Sequence, residues 1–472
     1  MQLVPTIICG GTGSRLWPVS QAQRPKPFMK LGGDGRRSLL QQAFLRAAAL
    51  PEVKKILTVT GLDLRQAVQA EYIEINNGGV DTPFVLEPFG RNTAAATAIA
   101  ALQCLKAHGE DSIMLVLPAD HLVENQQAFA GSVKTACEAA RRGKLVAFGV
   151  VPVSAHTGYG YIEVGDSNGD TPAGGGWLEV RRFVEKPDQE RAREFLQSGR
   201  YFWNSGMYCF KPGVLLQEMR QHCPALFETA VRSFESSIDV VHAGGHCLEL
   251  ESRDFAAVPN ESIDVAVMEK TRNIVVVPGR FAWSDIGSWS AIAAVTQKDG
   301  DGNSDSKNAI FHNSFNCFVH GGERPIGIVG LEDIIVVDAP TGLLVAHRDQ
   351  AQDVRHIAAR IEALLPQSPA TESAKRAGAG RSGVIEAAEG FQVRRLAIEA
   401  GSRISRLDAG WPAGPWLVAT GRAEVIGAGG KSTVRTIGEA YHCNSLDQEI
   451  ASTGDGALTL IVVDRACDGP IP

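Results

Sequence analysis

The chain has 472 residues, enough for two to four domains, and with 44% hydrophobic and 21% charged residues it excludes disorder over most of its length. Its net charge of −7, from 46 basic and 53 acidic residues, lacks the basic balance of a nucleic-acid-binding domain. No run approaches the ~18 apolar residues of a membrane-spanning helix, and nine cysteines without a CxxC pair argue against zinc fingers and disulfide frameworks.

The opening residues have no basic n-region and only a short apolar run, so they read as a first buried strand, Leu3–Cys9, of a cytoplasmic protein. Helical spacing then covers Ser38–Ala49, strand-like residues Ile56–Thr60, and an alanine-rich helix Thr93–Lys106. Strand, helix and strand follow at Ser112–Leu117, Ser132–Arg142 and Leu145–Val150. This alternation predicts an α/β domain over residues 1–295, built on a mostly parallel sheet covered on both faces. Ligands of such sheets bind beyond the carboxyl ends of the strands.

From residue 296 to 365 the pattern changes. Short runs at Cys317–His320, Ile326–Gly330, Ile334–Asp338 and Leu343–Ala346 predict a small β appendage, followed by a helix Asp349–Leu365. Residues 366–383, rich in Ala, Ser, Gly, Lys and Arg, read as a linker. The remainder, 384–472, is β-patterned with glycine turns and reads as a separate domain.

Strand Leu3–Cys9 runs into Gly10-Gly11-Thr12-Gly13-Ser14-Arg15-Leu16-Trp17-Pro18. This is either a tight turn or a loop whose amides approach phosphate oxygens. It is not a Walker loop, and Leu16 stands where a dinucleotide fingerprint needs its third glycine. Residues 1–33 contain no acidic side chain but do contain Arg15, Arg24, Lys26 and Lys30. Lys26, between Pro25 and Pro27, is offered from a stiff segment, either as a solvated basic loop or as an anion site that it shares with Arg15.

The run from Gly10 to Pro18, with Arg24-Pro25-Lys26-Pro27-Phe28, resembles the signature of sugar-nucleotide pyrophosphorylases. Its Leu-Trp-Pro form is similar to mannose-1-phosphate guanylyltransferases, in particular the long bacterial type with a C-terminal mannose-6-phosphate isomerase domain. Further motifs follow in order: Glu87-Pro88 with Gly90-Arg91-Asn92-Thr93-Ala94, Leu117-Pro118-Ala119-Asp120-His121, Thr157-Gly158-Tyr159-Gly160-Tyr161-Ile162, Phe183-Val184-Glu185-Lys186-Pro187, Trp203-Asn204-Ser205-Gly206-Met207, Ser262-Ile263-Asp264, and Trp283-Ser284-Asp285-Ile286-Gly287-Ser288-Trp289.

The resemblance implies a Rossmann-like nucleotidyltransferase with a mixed, mostly parallel sheet and a C-terminal cupin-like β-barrel. The implied reaction transfers GMP from GTP to mannose 1-phosphate, giving GDP-mannose and pyrophosphate. Other sugar-1-phosphate nucleotidyltransferases, or an enzyme that also isomerises, are the alternatives. Asp120, after a central strand, and Asp285 would share a Mg²⁺ ion, which suits oxygen ligands; imidazole is a poor magnesium ligand, so His121 has no metal role. Arg15 and Lys26 complete the catalytic set. Gly10, Gly11, Gly13, Glu87, Arg91, Asn92 and Thr93 would hold the nucleotide, with Asn92 or Thr93 also a candidate helix cap. Gly158, Glu185, Lys186 and Asn204 would hold the sugar phosphate, the carboxylate and amide meeting sugar hydroxyls. Trp203, Trp283 and Trp289 read as wall and core. No nucleic-acid or membrane partner is expected, and the chain is expected to form a homo-oligomer, a dimer.

The tail departs from these relatives. Where they carry a histidine-rich stretch and a glutamate before a tryptophan, which bind a catalytic metal, this chain has Asp408-Ala409-Gly410-Trp411. Residues 381–472 hold one histidine, His442, too few for a three- or four-ligand site. A degenerate domain without isomerase activity is therefore expected.

Overall fold

In the computed structural model, the described residues are 2–11, 13–21, 24–31, 36–165, 176–242, 245–305, 308–321, 324–364, 380–388, 391–398, 400–405, 414–427, 432–443, 447–453 and 458–464. The chain divides into one unit of residues 1–358 and another of 359–472.

The first unit carries β1 (Leu3–Cys9), β2 (Leu57–Gly61), β3 (Phe84–Glu87), β4 (Ile113–Pro118), β5 (Leu122–Val123), β6 (Leu145–Val150), β7 (Tyr161–Val164), β8 (Leu178–Val184), β9 (Tyr201–Phe210), β10 (Ile238–His242), β11 (Gly245–Glu249), β12 (Ile274–Pro278) and β13 (Trp283–Ser284). Eleven of these form one sheet in the order β10-β11-β3-β2-β1-β4-β9-β6-β12-β8-β7. The stretch β3-β2-β1-β4 is parallel, as the β/α alternation predicts. The ten-residue β9 then runs antiparallel to β4, β6 and β7 and makes the sheet mixed.

Side chains alternate along a strand, so β1 feeds two cores. Val4 joins the helix Asn92–His108 on one face, and Ile7 and Cys9 join the helices Leu39–Ala48 and Gln126–Arg141 on the other. The run of alanines in Asn92–His108 lets that helix lie close against the strands, and Ala94, Ala95 and Ala98 are fully buried. Ser38 caps the helix Leu39–Ala48 reciprocally with Gln41, which satisfies two otherwise orphaned amides. Cys9, Cys104, Cys137, Cys209, Cys223, Cys247 and Cys317 are all buried thiols outside any disulfide. Among the described residues no helix is long and apolar enough to cross a membrane.

Six further strands follow: β14 (Ser304–Asp305), β15 (Ala309–His312), β16 (Phe318–His320), β17 (Ile326–Val329), β18 (Ile334–Ala339) and β19 (Gly342–His347). The small appendage is a coil of parallel rungs. Its strands stack as β14-β16-β18 and β15-β17, with β19 turning back antiparallel on β18. Cys317, Val319, Ile328 and Val336 fill its interior. It leans on the glycine-rich loop. Thr341 Oγ1 donates to the Pro18 carbonyl at 2.8 Å, and a Cβ on Gly342 would stand 2.7 Å from the Trp17 indole. Trp289, fully buried, donates its indole N–H to the Trp17 carbonyl at 2.9 Å. The expected terminal helix is a 3₁₀ turn Arg348–Asp353 leading into the helix Val354–Leu364.

The second unit holds β20 (Gly380–Ala388), β21 (Phe391–Ile398), β22 (Arg403–Ser405), β23 (Gly414–Thr420), β24 (Arg422–Gly427), β25 (Ser432–Thr436), β26 (Ala440–Cys443), β27 (Asp447–Ser452) and β28 (Leu458–Asp464). Two antiparallel sheets, β20-β21-β28-β23-β26 and β22-β27-β24-β25, enclose Leu396, Ile398, Trp416, Val425, Ile450 and Leu460. This is the two-sheet wall of a cupin-like barrel. Strand β20 begins inside the segment read as a linker; residues 366–379 of that segment and the run Asp408–Ala413 lie outside the described residues.

Candidate active site

The register of the sheet assembles the site. Ile8 pairs with Pro118, so the loop after β1 and the Asp120 turn leave the sheet side by side. Asp285 arrives by a separate device: β13 pairs antiparallel with β5, Ser284 opposite Leu122. The next residue along each chain is then Asp285 on one side and His121 on the other.

Lys26 joins the two carboxylate-bearing segments. Pro25 caps a short 3₁₀ turn Lys26–Phe28, and Gly13, at φ +59°, lets the loop press against it: a Cβ there would stand 2.8 Å from Lys26 Cβ. The Lys26 ammonium lies 2.6 Å from Asp120 Oδ2 and also donates to the Asp285 main-chain carbonyl. Lys26 is only 8% exposed. Burial pushes the Asp120 carboxyl up, but the Lys26 ammonium outweighs it and holds it below the usual carboxylate range. His121 itself is lowered by burial and so is neutral at pH 7, leaving Lys26 as the charged partner. The Trp283 indole donates to His121 Nδ1 at 3.3 Å, which puts the imidazole proton on Nε2.

Asp285 is oriented from its other side. Tyr159 donates its hydroxyl to Asp285 Oδ1 at 2.8 Å, and the Gly287 amide donates to the same oxygen at 3.0 Å. Burial first, then Asp285, raises the Tyr159 pKa well above its ordinary value, so the phenol stays a donor. His156 stacks on its ring at a centroid distance of 3.8 Å.

A cavity of about 490 Å³ opens beside Asp120 and His121, lined also by Gly10, Gly11, Glu87, Gly90, Asn92, Thr93, Gly206, Tyr208 and Asp264 among others. A larger cavity of about 880 Å³ lies at the opposite ends of β1 and β4, around Leu3 and Ile113. The smaller one sits at the carboxyl ends of the strands, where ligands of such sheets bind. In its wall burial pushes the Glu87 carboxyl up to about 8, and Glu87 Oε1 is buried without a hydrogen-bond partner. Asn92, at φ +63°, accepts the Thr93 amide on its side chain. Thr93 Oγ1 accepts the Ile263 amide at 3.0 Å, tying this wall to the Asp264 turn. Arg91, rather than Asn92 or Thr93, occupies the cap position of the helix. Its guanidinium donates to the Ala256 carbonyl and lies over the Phe89 ring, away from the lining of this cavity.

A second polar cluster adjoins the first. Asn204 donates to Asp264 Oδ1 and to the Tyr208 hydroxyl, both at 2.8 Å, and its amide N–H donates to the Gly160 carbonyl at 2.8 Å. The Tyr208 hydroxyl also donates to Asp264. A Cβ on Gly160 would stand 2.6 Å from Glu185 Oε2. Burial, with Asp264 and Glu269 nearby, raises the Glu185 pKa against the 2.8 Å ion pair to Lys186. The Gly158 amide donates to His156 Nδ1 at 3.2 Å. Arg15, partly buried in the 3₁₀ turn Ser14–Leu16, faces this side, where its charge acts on His156. Tyr159, Tyr208 and Asp264 carry the geometry, although the sequence assigns them no role. Asp264 stands at the head of a buried π-helical turn, Asp264–Met268, in which only its place in the Ser-Ile-Asp motif could have marked it.

Asp120, in the cavity lining, and Asp285, whose main chain Lys26 ties to it, carry oxygen donors of the kind a hard divalent cation accepts. No hydrogen bond to Asp285 Oδ2 is formed among the described residues. Among the same residues, no cluster of three or more His, Cys, Asp or Glu side chains forms a metal site by itself.

Residues 4–302 match the Nucleotidyl transferase family, and residues 307–361 the MannoseP isomerase/GMP-like beta-helix domain. The chain is 38% identical to the alginate biosynthesis protein AlgA of Pseudomonas aeruginosa, over 90% of this chain and 85% of that protein. It is 37% identical to a mannose-1-phosphate guanylyltransferase of Escherichia coli, over 93% and 92%. The xanthan biosynthesis protein XanB of Xanthomonas campestris is 38% identical over 90% and 87%. A crystal structure from Thermus thermophilus, described as a mannose-1-phosphate geranyltransferase, superposes with a TM-score of 0.66 at 32% identity, covering 77% of this chain and all of that one. One described as mannose-6-phosphate isomerase from Helicobacter pylori gives 0.51 at 31%, covering 60% of this chain and 99% of that one.

Proposed function

The chain belongs to the mannose-1-phosphate guanylyltransferase family of nucleotidyltransferases, and from that premise we propose that it transfers GMP from GTP to mannose 1-phosphate in the cytoplasm, releasing pyrophosphate. The observation that carries the reaction class is the β5–β13 ladder, which sets Asp285 beside Asp120 with Lys26 between them. The sugar phosphate is already ionised at neutral pH, so its oxygen attacks the α-phosphorus in line without a general base. Catalysis then rests on position and on charge neutralisation. The Gly10–Gly11 amides cradle phosphate oxygens, and Lys26 and Arg15 offset charge on the reacting and leaving phosphates. Asp120 and Asp285 would hold Mg²⁺, which when bound neutralises charge at the α-phosphate. Asn204, Glu185 and the Gly158 backbone receive the sugar, with Lys186 at the same rim.

Glu87 supports guanine. The base offers two adjacent donors, N1–H and the N2 amino group, and Glu87 has a buried acceptor without a partner in the cavity wall. A carboxyl with a raised pKa keeps its proton in the folded chain between about pH 4.5 and 8, where the unfolded chain has released it, so stability falls as pH rises through that window. Glu87→Gln is therefore expected to raise the melting temperature at pH 8.5 and leave it unchanged at pH 4. The two guanine donors favour the ionised form of Glu87 once the base is bound, so the same variant, with one acceptor oxygen in place of two, should lose roughly tenfold in kcat/KM for GTP, the worth of a hydrogen bond to a charged group. Pyrophosphate release over a panel of nucleoside triphosphates and sugar 1-phosphates tests both claims; turnover of another pair tenfold faster overturns the specificity.

The second unit is proposed to lack isomerase activity. Its one histidine, His442, sits on β26 opposite Pro415. A coupled assay of the full chain on mannose 6-phosphate, with Zn²⁺, Co²⁺ or Mg²⁺ added, is expected to stay at background. Metal-dependent turnover would make the chain bifunctional.

A further inference from the structure

Lys26 is held in an unusual position for a residue that serves phosphates. Its ammonium lies 2.6 Å from Asp120 Oδ2 and bonds the Asp285 carbonyl, with side-chain exposures of 10% for the lysine and 25% for the aspartate. The lysine is fixed by the Pro25 cap and by the close approach of Gly13. An ammonium and a divalent cation compete for the same carboxylate oxygen, and two cations cannot share it at contact distance without strong repulsion. The same ammonium holds the main chain of Asp285, the second proposed ligand, and no cluster of three or more His, Cys, Asp or Glu side chains forms here among the described residues. Two carboxylates hold Mg²⁺ well only when phosphate oxygens join them.

We propose that Lys26 is the resident counter-cation of Asp120 in the nucleotide-free protein and keeps divalent metal off that carboxylate until the phosphates of an incoming nucleoside triphosphate draw the ammonium away. The inference rests on the nucleotidyltransferase reading for the assignment of the two carboxylates. It adds an order of events: metal enters with the nucleotide, and the same phosphates that bring it release Lys26 to neutralise them. One side chain thus serves the empty site as a plug and the filled site as a phosphate ligand.

The test measures Mn²⁺ binding by electron paramagnetic resonance on the full chain without nucleotide. Wild type should bind weakly. Lys26→Met and Lys26→Gln, each checked for folding by circular dichroism, should bind at least about tenfold more tightly, the scale of one lost buried charge competitor. Adding Asp120→Asn to Lys26→Met should erase the gain. Unchanged or weaker binding in a folded variant overturns the proposal. A second measurement needs no variant. The ¹⁵N signal of the Lys26 ammonium should hold its position in Mg²⁺ alone and move when GTP is added with it; a shift in Mg²⁺ alone overturns the proposal. Neither readout uses turnover. A chain that makes another sugar nucleotide would fail the functional reading and leave this result standing, and an active chain with unchanged Mn²⁺ affinity would do the reverse.

Discussion

Asp285→Asn should lower kcat/KM for pyrophosphate release by roughly 10²–10³-fold, the range for losing one charge-stabilising contact in a transition state, while the fold survives. The amide keeps an oxygen where Asp285 Oδ1 accepts from Tyr159 and Gly287, so the local geometry persists and only the charge is lost. Asp120→Asn should lose as much activity and also some stability, because it strips the buried Lys26 ammonium of its carboxylate partner. Kinetics and thermal melts of the two variants in parallel check this. Near-normal turnover in Asp285→Asn would show that the wrong carboxylates have been paired.

Gly160→Ala should raise the KM for mannose 1-phosphate by roughly 10–100-fold, the worth of a displaced hydrogen bond to a charged group, and leave the KM for GTP nearly unchanged. The added methyl would stand 2.6 Å from Glu185 Oε2 and 3.3 Å from Asn204 Cβ. The carboxylate, at the end of a side chain, must swing away, and β9 at Asn204 has little room to follow. Steady-state kinetics with each substrate varied in turn separate this from general damage, in which both KM values would rise together.

How far the sequence reveals this site depends on what holds each residue. Gly10, Lys26 and Asp120 are legible because each stands at a strand end or on a proline-stiffened loop, and local chemistry marks such places. Asp285 is legible only through its motif, since a two-residue ladder to a strand far back in the chain carries no periodic signal of its own. Asp264 and Tyr208 escape a sequence reading for a related reason: one begins a π-helical turn and the other lies in the buried face of β9. The parallel coil of the appendage is equally silent, because its short runs look the same whether they pair with the next strand or with the next turn of the coil. The mixed character of the sheet comes from β9, which nothing in a β/α alternation announces.

The β5–β13 ladder has a consequence for how the protein is born. Asp285 lies 165 residues beyond Asp120, and at the ~5–20 residues per second of synthesis it follows by roughly ten to thirty seconds. Strands β1 to β4 and the loop bearing Lys26 leave the ribosome early, and their parallel pairing needs nothing downstream. The proposed Asp120–Asp285 pair closes only when β13 has emerged and Trp283 has found Val123 on β5, and non-local contacts of this kind form late. A nascent chain that has emerged only as far as β12 therefore carries all eleven strands of the sheet without the proposed Asp285 ligand, which β13 adds in one late step.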